Sequence, residues 1–329
     1  MKKSLVLILI IISTGKLSAQ FDNQVGFGAK NAIHKDSSII KAWATKTTLQ
    51  RGWQDISDTS LGKATVGTPF YTTGIADGTV LSLGDSGIAI LQFERPITNG
   101  QGYDFCVFEN GFTLNSGVAE AFLEYAHVEV SSDGVQFFRF PSQSKIDTLV
   151  QKASFDYMNT NLVDGLAGKY IANYGTPFDL AVLANQPNLN INKITHVKII
   201  DVVGSINNLY ATRDGLGNKI NDPWPTPFAA GGFDLDAVGV MNQAEPNGIA
   251  NSEQELFKVY PNPVKAGDKI YISNSQQASI SLFDANGKCL LTQEGSEDSF
   301  IDTEGLHKGV YILLINGLNK TYSKTLMLN

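Results

Sequence analysis

Residues 125–140, Tyr-Ala-His-Val-Glu-Val-Ser-Ser-Asp-Gly-Val-Gln-Phe-Phe-Arg-Phe, carry the clearest structural pattern in this chain. The first seven residues alternate between small apolar side chains and the polar His127 and Glu129, which is the period of a β-strand with one buried face. Asp133-Gly134 is typical of a tight turn between two strands. Val135–Phe140 is then expected to return antiparallel, so this stretch predicts a β-hairpin.

Four further segments have the length and composition of β-strands, whereas helix signals are sparse. Only Phe178–Asn185 predicts a short helix, of about two turns. Antiparallel strands joined by Gly and Asp turns are typical of β-sandwiches. We therefore expect an all-β chain whose main part is a large antiparallel sandwich of the jelly-roll type. The predicted strands are Gly87–Phe93, ending at Arg95-Pro96, then Tyr103–Glu109, closed by Asn110-Gly111, then Thr195–Val203 and Phe233–Val240.

The last part of the chain, residues 257–329, has its own pattern of short apolar runs and turns. These are Phe257-Lys-Val-Tyr-Pro-Asn-Pro-Val264, Ile280-Ser-Leu-Phe-Asp-Ala-Asn-Gly-Lys288, Leu306-His-Lys-Gly-Val-Tyr-Ile-Leu-Leu314 and Lys324-Thr-Leu-Met-Leu-Asn329. The pattern predicts a small Ig-like β-sandwich. The order of the four blocks resembles the C-terminal sorting domain (type A) of the type IX secretion system. This resemblance implies that the secretion machinery is a partner and that the chain is released or held at the outer cell surface.

The other end of the chain predicts a secretory leader. Lys2 and Lys3 precede an apolar run, and Ala19 is a small residue at the expected cleavage position. The run is too short to cross a bilayer, which needs about 20 apolar residues, so no membrane span is expected. The predicted organisation is a signal peptide at 1–19, the jelly-roll domain at 20–241, a polar linker at 242–256 and the sorting domain at 257–329.

The charge and the cysteines exclude several classes of partner and structure. Loss of the leader removes three lysines and no acid, which lowers the formal net charge from −7 and leaves 22 basic against 32 acidic residues. Nucleic acids and anionic lipids both require a basic surface, so neither is an expected partner. Cys106 and Cys289 belong to different predicted domains, and we expect no disulfide between them.

A second resemblance covers most of residues 80–241. Ile88–Ile97, Asp104–Gly111, Val128–Phe137 and Gly232–Val238 look like parts of the galactose-binding-like (discoidin-like) β-sandwiches found in bacterial cell-surface proteins. The resemblance implies the fold and, by analogy, a carbohydrate ligand. It does not identify a site, because one fold hosts many functions.

Acidic residues at strand ends and in one long loop predict a calcium site. Asp234 and Asp236 lie two apart on a strand, so both carboxylates are expected to leave the same face. Hard cations such as Ca²⁺ bind six to eight oxygens from carboxylates, amides and carbonyls. The alternative is that these residues serve turns and face water. The predicted ligands of a structural Ca²⁺ are Glu109, Asp201, Asp214, Asp222, Asp234 and Asp236.

The loop at 221–228 predicts a ligand-binding surface. It holds Trp224 between two prolines, and a stiff aromatic side chain at the rim of a sandwich can stack on a sugar ring. Tyr210 and Asn221 are the other predicted ligand-binding residues. The alternative is that Trp224 closes the end of the core.

Catalysis is not expected. Asp234 and Asp236 have the spacing of a glycosidase pair, but they share one face of one strand, whereas acid and nucleophile must approach the sugar from opposite sides. The chain has no nucleophile elbow and no phosphate-binding loop. The predicted function is therefore a secreted or cell-surface binding protein for a glycan or another extracellular nutrient. The alternatives are capture of a cofactor such as a corrinoid for a TonB-type transporter, a secreted glycoside hydrolase, or a purely adhesive surface protein.

Overall fold

The computed structural model describes residues 21–113, 119–245, 257–273, 275–276, 278–317 and 321–329. The chain divides into two compact units, residues 1–246 and residues 247–329. The predicted signal peptide and most of the predicted linker lie outside the described residues. No helix within those described ranges is long and apolar enough to cross a membrane.

The N-terminal unit contains fifteen described strands and four short 3₁₀ turns. The turns are Thr59–Leu61, Pro69–Thr72, Thr160–Leu162 and Leu180–Leu183. The strands are β1 Ile33–His34, β2 Ala42–Trp43, β3 Lys46–Gln50, β4 Leu81–Ser82, β5 Ile88–Ile97, β6 Phe105–Glu109, β7 Glu120–Ala121, β8 Ala126–Ser131, β9 Phe138–Arg139, β10 Gln143–Ser144, β11 Met158–Asn159, β12 Val163–Asp164, β13 Tyr174–Phe178, β14 Ile194–Asp201 and β15 Asp234–Val240.

Two antiparallel sheets form the body of this unit. The first has the order β1-β13-β6-β15-β2, with β4 also paired to β15, and the second has the order β3-β5-β14-β8-β9. Two small ribbons, β10-β12 and β11-β7, stand beside them. In the second sheet, Val197 of β14 lies opposite both Leu91 of β5 and Val130 of β8. All named strand pairs are antiparallel, which confirms the predicted all-β antiparallel sandwich.

The main core lies between the two sheets. Val107 and Leu235 contribute to it from the first sheet, and Val128 and Ile199 from the second. A separate apolar cluster, which includes Phe108 and Trp43, covers the outer face of the first sheet. Because the first sheet is covered on both faces, every residue of β6 and β15 is buried, and neither strand shows the simple alternation of a half-exposed strand.

The structure corrects three local predictions. The predicted helix at 178–185 is wrong, since this segment holds only a single 3₁₀ turn, at whose start the side chain of Asp179 accepts from the N–H of Ala181. Strand β5 does not end at Arg95 but continues through Pro96 to Ile97. The hairpin after β8 is looser than predicted, because only Phe138 and Arg139 pair with β8.

The C-terminal unit is a smaller sandwich of two antiparallel sheets. Its core is apolar, and Ile270, Ile280, Leu313 and Leu326 are among its fully buried members. The sheet orders are β16-β17-β20 and β19-β18-β21-β22. The strands are β16 Lys258–Tyr260, β17 Lys269–Ser273, β18 Ser279–Asp284, β19 Cys289–Glu294, β20 Asp298–Asp302, β21 Gly309–Asn316 and β22 Thr321–Leu328. Cys106 of the N-terminal unit and Cys289 of this unit are both free thiols.

Because each unit has its own core, a cavity in one core should destabilise that unit. Leu91→Ala and Leu313→Ala each remove a fully buried side chain and should cost about 2–5 kcal/mol. In calorimetry of the full chain, we expect Leu91→Ala to shift one thermal transition and Leu313→Ala to shift another. A single transition that both variants lower equally would contradict separate cores.

Candidate functional site

Five buried carboxylates gather at one end of the N-terminal sandwich, and a sixth, Asp85, lies beside two of them, Asp201 and Asp222. We call the group of five the acidic cluster: Glu109, Glu124, Asp201, Asp222 and Asp234. None of them is more than 8% exposed. Glu124 interacts electrostatically with the other four, which places all five in one region.

The strand order explains why these residues meet. Glu109 ends β6 and Asp234 begins β15, its antiparallel neighbour, so the register sets Glu109 opposite Leu235. Asp201 ends β14 and lies opposite Ala126, the first residue of β8. In an antiparallel sheet, the end of one strand adjoins the start of the next. Both sheets therefore deliver carboxylates to the same end of the sandwich.

Backbone N–H groups of the neighbouring loops donate to several of these carboxylates. Asp201 accepts from the N–H groups of Ser86 at 2.9 Å and Phe233 at 2.7 Å. Asp222 Oδ2 accepts from the N–H of Tyr125 at 2.9 Å. Each of these two carboxylates thus ties a loop to the beginning of a strand.

The two carboxylates that lie on neighbouring strands have different partners. Glu109 Oε2 accepts from the N–H of Gly111 at 2.7 Å. Asp234 accepts from the hydroxyl of Ser82 and, at 3.0 Å, from the side-chain amide of Asn110. Asn110 and Gly111, the first two residues of the loop after β6, are therefore both hydrogen-bonded to the acidic cluster.

Three polar atoms in this region have no hydrogen-bond partner among the described residues. They are Glu109 Oε1, Asp222 Oδ1 and Tyr125 Oη, all fully buried. The phenol of Tyr125 interacts electrostatically with Asp222 and Glu109, which places it beside the cluster. An unpaired polar atom in the interior costs about 1–3 kcal/mol, and more if it is charged. The cluster therefore has unused capacity for a proton or a cation.

Burial is the main cause of the unusual protonation of the cluster. It raises the pKa of Asp234 to about 6. Burial, reinforced by the neighbouring carboxylates, raises the pKa values of Glu109, Glu124, Asp201 and Asp222 well above their ordinary values. Desolvation penalises the charged form of a carboxyl, and a second carboxylate nearby penalises it further.

The six predicted calcium ligands do not form a single site. Asp214 lies in a loop of its own, where it accepts from the N–H groups of Ser144 and Asn218. Asp236 accepts from the N–H groups of Asp77 and Gly78. Within the described ranges, no three carboxylate, imidazole or thiol groups are arranged as a ready metal-binding group. The predicted six-residue set is therefore not assembled, and four of its members belong to the acidic cluster.

Sequence analysis missed Glu124, the fifth member. It lies between Leu123 and Tyr125, two fully buried residues of a satellite core. The signal that could have identified it is a carboxylate between two apolar or aromatic residues at the start of a predicted strand. The sequence does not show that Glu124 would meet Glu109, because that meeting depends on the pairing of loops.

The side chains of the predicted ligand-binding residues are buried or half-buried and contact other parts of the protein. The indole of Trp224 is half-buried, donates to Asp85 at 3.1 Å and has its ring 6.1 Å from that of Tyr210. Asn221 is fully buried, donates to the carbonyls of Asp147 and Val150, and accepts from the N–H of Lys152. As arranged here, Asn221 holds a neighbouring loop and has no exposed surface for a ligand.

Five aromatic rings, three of them exposed, form a group on segments that are near the acidic carboxylates in sequence. We call it the aromatic surface: Phe112, Phe122, Phe155, Tyr157 and Phe228. Phe112 and Phe122 lie on paired segments with ring centroids 5.3 Å apart, and Phe155 and Phe228 stack at 5.5 Å. Phe122 joins the two pairs, since its ring is 6.5 Å from that of Phe155.

Three rings of the aromatic surface are open to solvent. Phe112 is 51% exposed, Phe155 67% and Phe228 41%. Single exposed apolar residues are ordinary, but a contiguous group often marks a binding surface. Phe112 follows Glu109 by three residues and Phe122 precedes Glu124 by two. The loops that carry the buried carboxylates therefore also carry the exposed rings.

Comparison with known proteins identifies the C-terminal unit. Residues 258–329 match the family model described as "Secretion system C-terminal sorting domain". This match confirms the type IX sorting domain predicted from the blocks between Phe257 and Asn329. The sorting domain supports export to the cell surface or beyond and an interaction with the type IX secretion machinery. The comparison with curated proteins found no match.

Two solved structures show remote similarity. One is titled "Biofilm associated protein - BSP domain", with 10% identity, a TM-score of 0.20, and coverage of 91% of this chain and 53% of the other. The other is a Ruminococcus gnavus beta-glucuronidase, with 9% identity, a TM-score of 0.19, and coverage of 89% and 47%. The chain thus spans about half the length of each. With TM-scores this low, neither similarity bears on function.

The pKa of Asp234 predicts that the stability of the N-terminal unit depends on pH. Its folded pKa of about 6 lies above its ordinary value of 3.8, so the folded state binds the proton more tightly. The stability contributed by that proton is fully present below about pH 4 and is lost as the pH rises through 6. Between about pH 4.5 and 7, the free energy of unfolding of Asp234→Asn should therefore fall less than that of the parent, by about 2 kcal/mol.

The measurement is denaturant unfolding of both proteins in EDTA across this pH range. The matched control is Glu94→Gln, which changes an exposed carboxylate on the same unit and should follow the parent. If Asp234→Asn and the parent show the same pH dependence, the pKa of Asp234 is not raised by folding.

Proposed function

We propose that this chain is a non-catalytic extracellular binding protein whose N-terminal unit binds a glycan on the aromatic surface. The sorting domain supports its export, and the binding role is our inference. The observation that carries it is the continuous set of stacked rings, three of them open to solvent, formed by Phe112, Phe155, Phe228 and their two half-buried neighbours. Hexose rings present one face of C–H groups, which can lie against an aromatic ring.

The construction of the surface supports this role. Phe112 and Phe122 are held by two backbone hydrogen bonds, of 3.1 and 2.8 Å, across a bridge between their segments. The hydroxyl of Ser154 donates to the carbonyl of Pro225 at 2.6 Å, which ties the segment of Phe155 to that of Phe228. Rings fixed before the ligand arrives lose little conformational entropy on binding. Such a surface suits a neutral, extended polysaccharide.

Burial of the acidic cluster supports a non-catalytic role. A glycosidase needs two carboxyl groups that reach opposite sides of a bound sugar. Glu109 and Asp222 are 1% and 3% exposed, so their carboxylates are enclosed by protein and do not face the aromatic surface as reactive groups. Raised pKa values are also found in structural networks and do not by themselves identify an active site.

We further propose that a Ca²⁺ ion neutralises the acidic cluster and stabilises the loops around it. Free oxygens on Glu109 and Asp222, and the shortage of positive charge around five carboxylates, support this proposal. The residues fit an oxygen-binding cation in chemistry, but no three of them form a ready site within the described residues. Binding would therefore draw the carboxylates together.

Calcium should stabilise the N-terminal unit through this cluster. At a hundredfold excess over its dissociation constant, an ion that binds only the folded state adds about 2.7 kcal/mol. We expect millimolar Ca²⁺ to raise the melting temperature of the full chain relative to EDTA at about pH 7.5. Glu109→Gln should abolish that rise while itself melting higher than the parent in EDTA, because it removes a buried charge.

Asp236→Asn is the matched control for the calcium experiment. Asp236 is also a buried carboxylate with a pKa raised by burial to about 6, but it binds the N–H groups of Asp77 and Gly78 outside the cluster. This variant should keep the response to calcium. Equal melting in Ca²⁺ and EDTA for the parent would disprove the calcium proposal and leave the aromatic surface untouched.

Glycan binding should depend on the exposed rings. Phe155→Ala and Phe228→Ala each remove one ring of a stacked pair, and a lost stacking contact of about 0.5–1.5 kcal/mol should weaken binding by roughly two- to tenfold. The measurement is affinity electrophoresis of the full chain in gels that contain soluble xylan, β-glucan, mannan or galactan. We expect at least one polysaccharide to retard the parent.

Phe70→Ala is the control for this experiment. Phe70 is 78% exposed and belongs to the 3₁₀ turn at Pro69–Thr72, outside the aromatic surface, so its loss should not change the mobility. Retardation by none of the four polysaccharides, or equal weakening by Phe70→Ala, would contradict the proposed role of the surface.

A further inference from the structure

A second concave site of the N-terminal unit has a different chemistry from the aromatic surface. It is a cavity of about 220 Å³ that involves none of the five aromatic-surface residues and none of the acidic cluster. Its polar lining includes three carboxylates, the phenols of Tyr103 and Tyr170, and the buried Lys169. The carboxylates are Asp22, Asp164 and Asp179.

The apolar part of the lining includes residues of the main core. Phe140 and Phe178 are 4% and 3% exposed and belong to the main core, and their rings meet edge to face at 5.0 Å. Pro141 and Pro177 adjoin them in the lining. Val182, which is 57% exposed, lies at the rim. A compact apolar group would therefore find aromatic and aliphatic contacts inside.

Negative charge surrounds Tyr103 in the cavity. Burial raises the pKa of Tyr103, and Asp164, Asp22 and Asp179 raise it further through their charge. Tyr103 is 36% exposed, and its hydroxyl makes no hydrogen bond to any part of the chain that the structure describes. Its phenol is thus near three acids and has an unused oxygen.

Lys169 does not neutralise these acids by direct pairing. Its ammonium group donates to the backbone carbonyls of Thr160 and Val163. Among the described residues it forms no ion pair with a carboxylate. Three carboxylates against one lysine leave the lining with an excess of two negative charges.

The three carboxylates differ in how much of their hydrogen-bonding capacity is used. Asp22 accepts from the N–H groups of Lys30 and Asn31 and from the hydroxyl of Tyr170. Asp179 uses one oxygen, which accepts from the N–H of Ala181 at 2.8 Å. Asp164 is exposed, and its carboxylate accepts no hydrogen bond from the described residues. Free acceptors therefore remain on Asp164, Asp179 and Tyr103.

We propose that this cavity binds a small primary ammonium ion carried on a compact apolar body. The apolar body lies against Phe140 and Phe178. The ammonium group has three N–H donors, and it donates to Asp164, Asp179 and the hydroxyl of Tyr103. This assignment is independent of the proposed glycan role, because it uses different residues and a charged ligand instead of a neutral one.

Benzylamine and benzyl alcohol form a matched pair of probes for this proposal. They share the ring and nearly the same size, but only benzylamine is positively charged at neutral pH. In calorimetric titrations of the full chain at low ionic strength, we expect benzylamine to saturate one site and to bind at least about tenfold more tightly than benzyl alcohol. Salt should weaken the amine and not the alcohol, since ions screen exposed charges.

Two conservative variants locate the site. Asp164→Asn and Asp179→Asn keep the shape of each side chain, and Asn still caps the turn that begins after residue 179. Each should weaken benzylamine by about three- to tenfold, and the control Asp36→Asn should leave it unchanged. Similar affinities for amine and alcohol, absence of saturation by the amine, or amine binding that neither variant weakens would overturn the proposal.

Discussion

The positions of several loops in the N-terminal unit depend on buried carboxylates, which accept hydrogen bonds from backbone N–H groups. Asp201 holds the turn at Ser86 against the residue that precedes β15, and Asp222 holds the residue that precedes β8. A charged acceptor binds an N–H group about twice as strongly as a neutral one. The same geometry leaves one oxygen of Asp222 without a partner. The acids that order the loops therefore also concentrate unneutralised charge where the two sheets end.

This arrangement limits how the unit can be stable. Several ionised carboxylates in one dry region cannot all keep their charge, because desolvation and mutual repulsion act in the same direction. Either protons or a cation must compensate them. The compensating species then stabilises the loops that present Phe112 and Phe122, since these rings lie within three residues of Glu109 and Glu124 along the chain. The aromatic surface is thus linked to the acidic cluster by short segments of the polypeptide chain.

The features that could be predicted from the sequence are those that depend on residues close together in the chain. The strand at β8 follows from neighbouring residues, although the buried His127 departs from the simple alternation, and the four blocks of the sorting domain are consecutive short motifs. The acidic cluster was only partly predictable. Asp214 and Asp236 have the same residue type and similar surroundings in sequence as Asp222 and Asp234, but they bind different loops. Which carboxylates meet is decided by strand order, and that order is a property of the whole sheet.

The aromatic surface shows the same limit. Its rings come from separate segments, and each one taken alone is an ordinary apolar residue beside a turn. Trp224, by contrast, was conspicuous in sequence because of its flanking prolines, yet its indole N–H is bound to Asp85 within the fold. Residue type thus favours Trp as a ligand contact, whereas exposure favours the phenylalanines.

Stacking on a neutral sugar requires an accessible ring face and no charge. Capture of an amine, as proposed for the cavity at Asp164 and Asp179, instead requires hydrogen-bond acceptors with excess negative charge beside an apolar lining. The two proposed sites draw on different physical forces and share no residue, so one sandwich has room for both kinds of recognition.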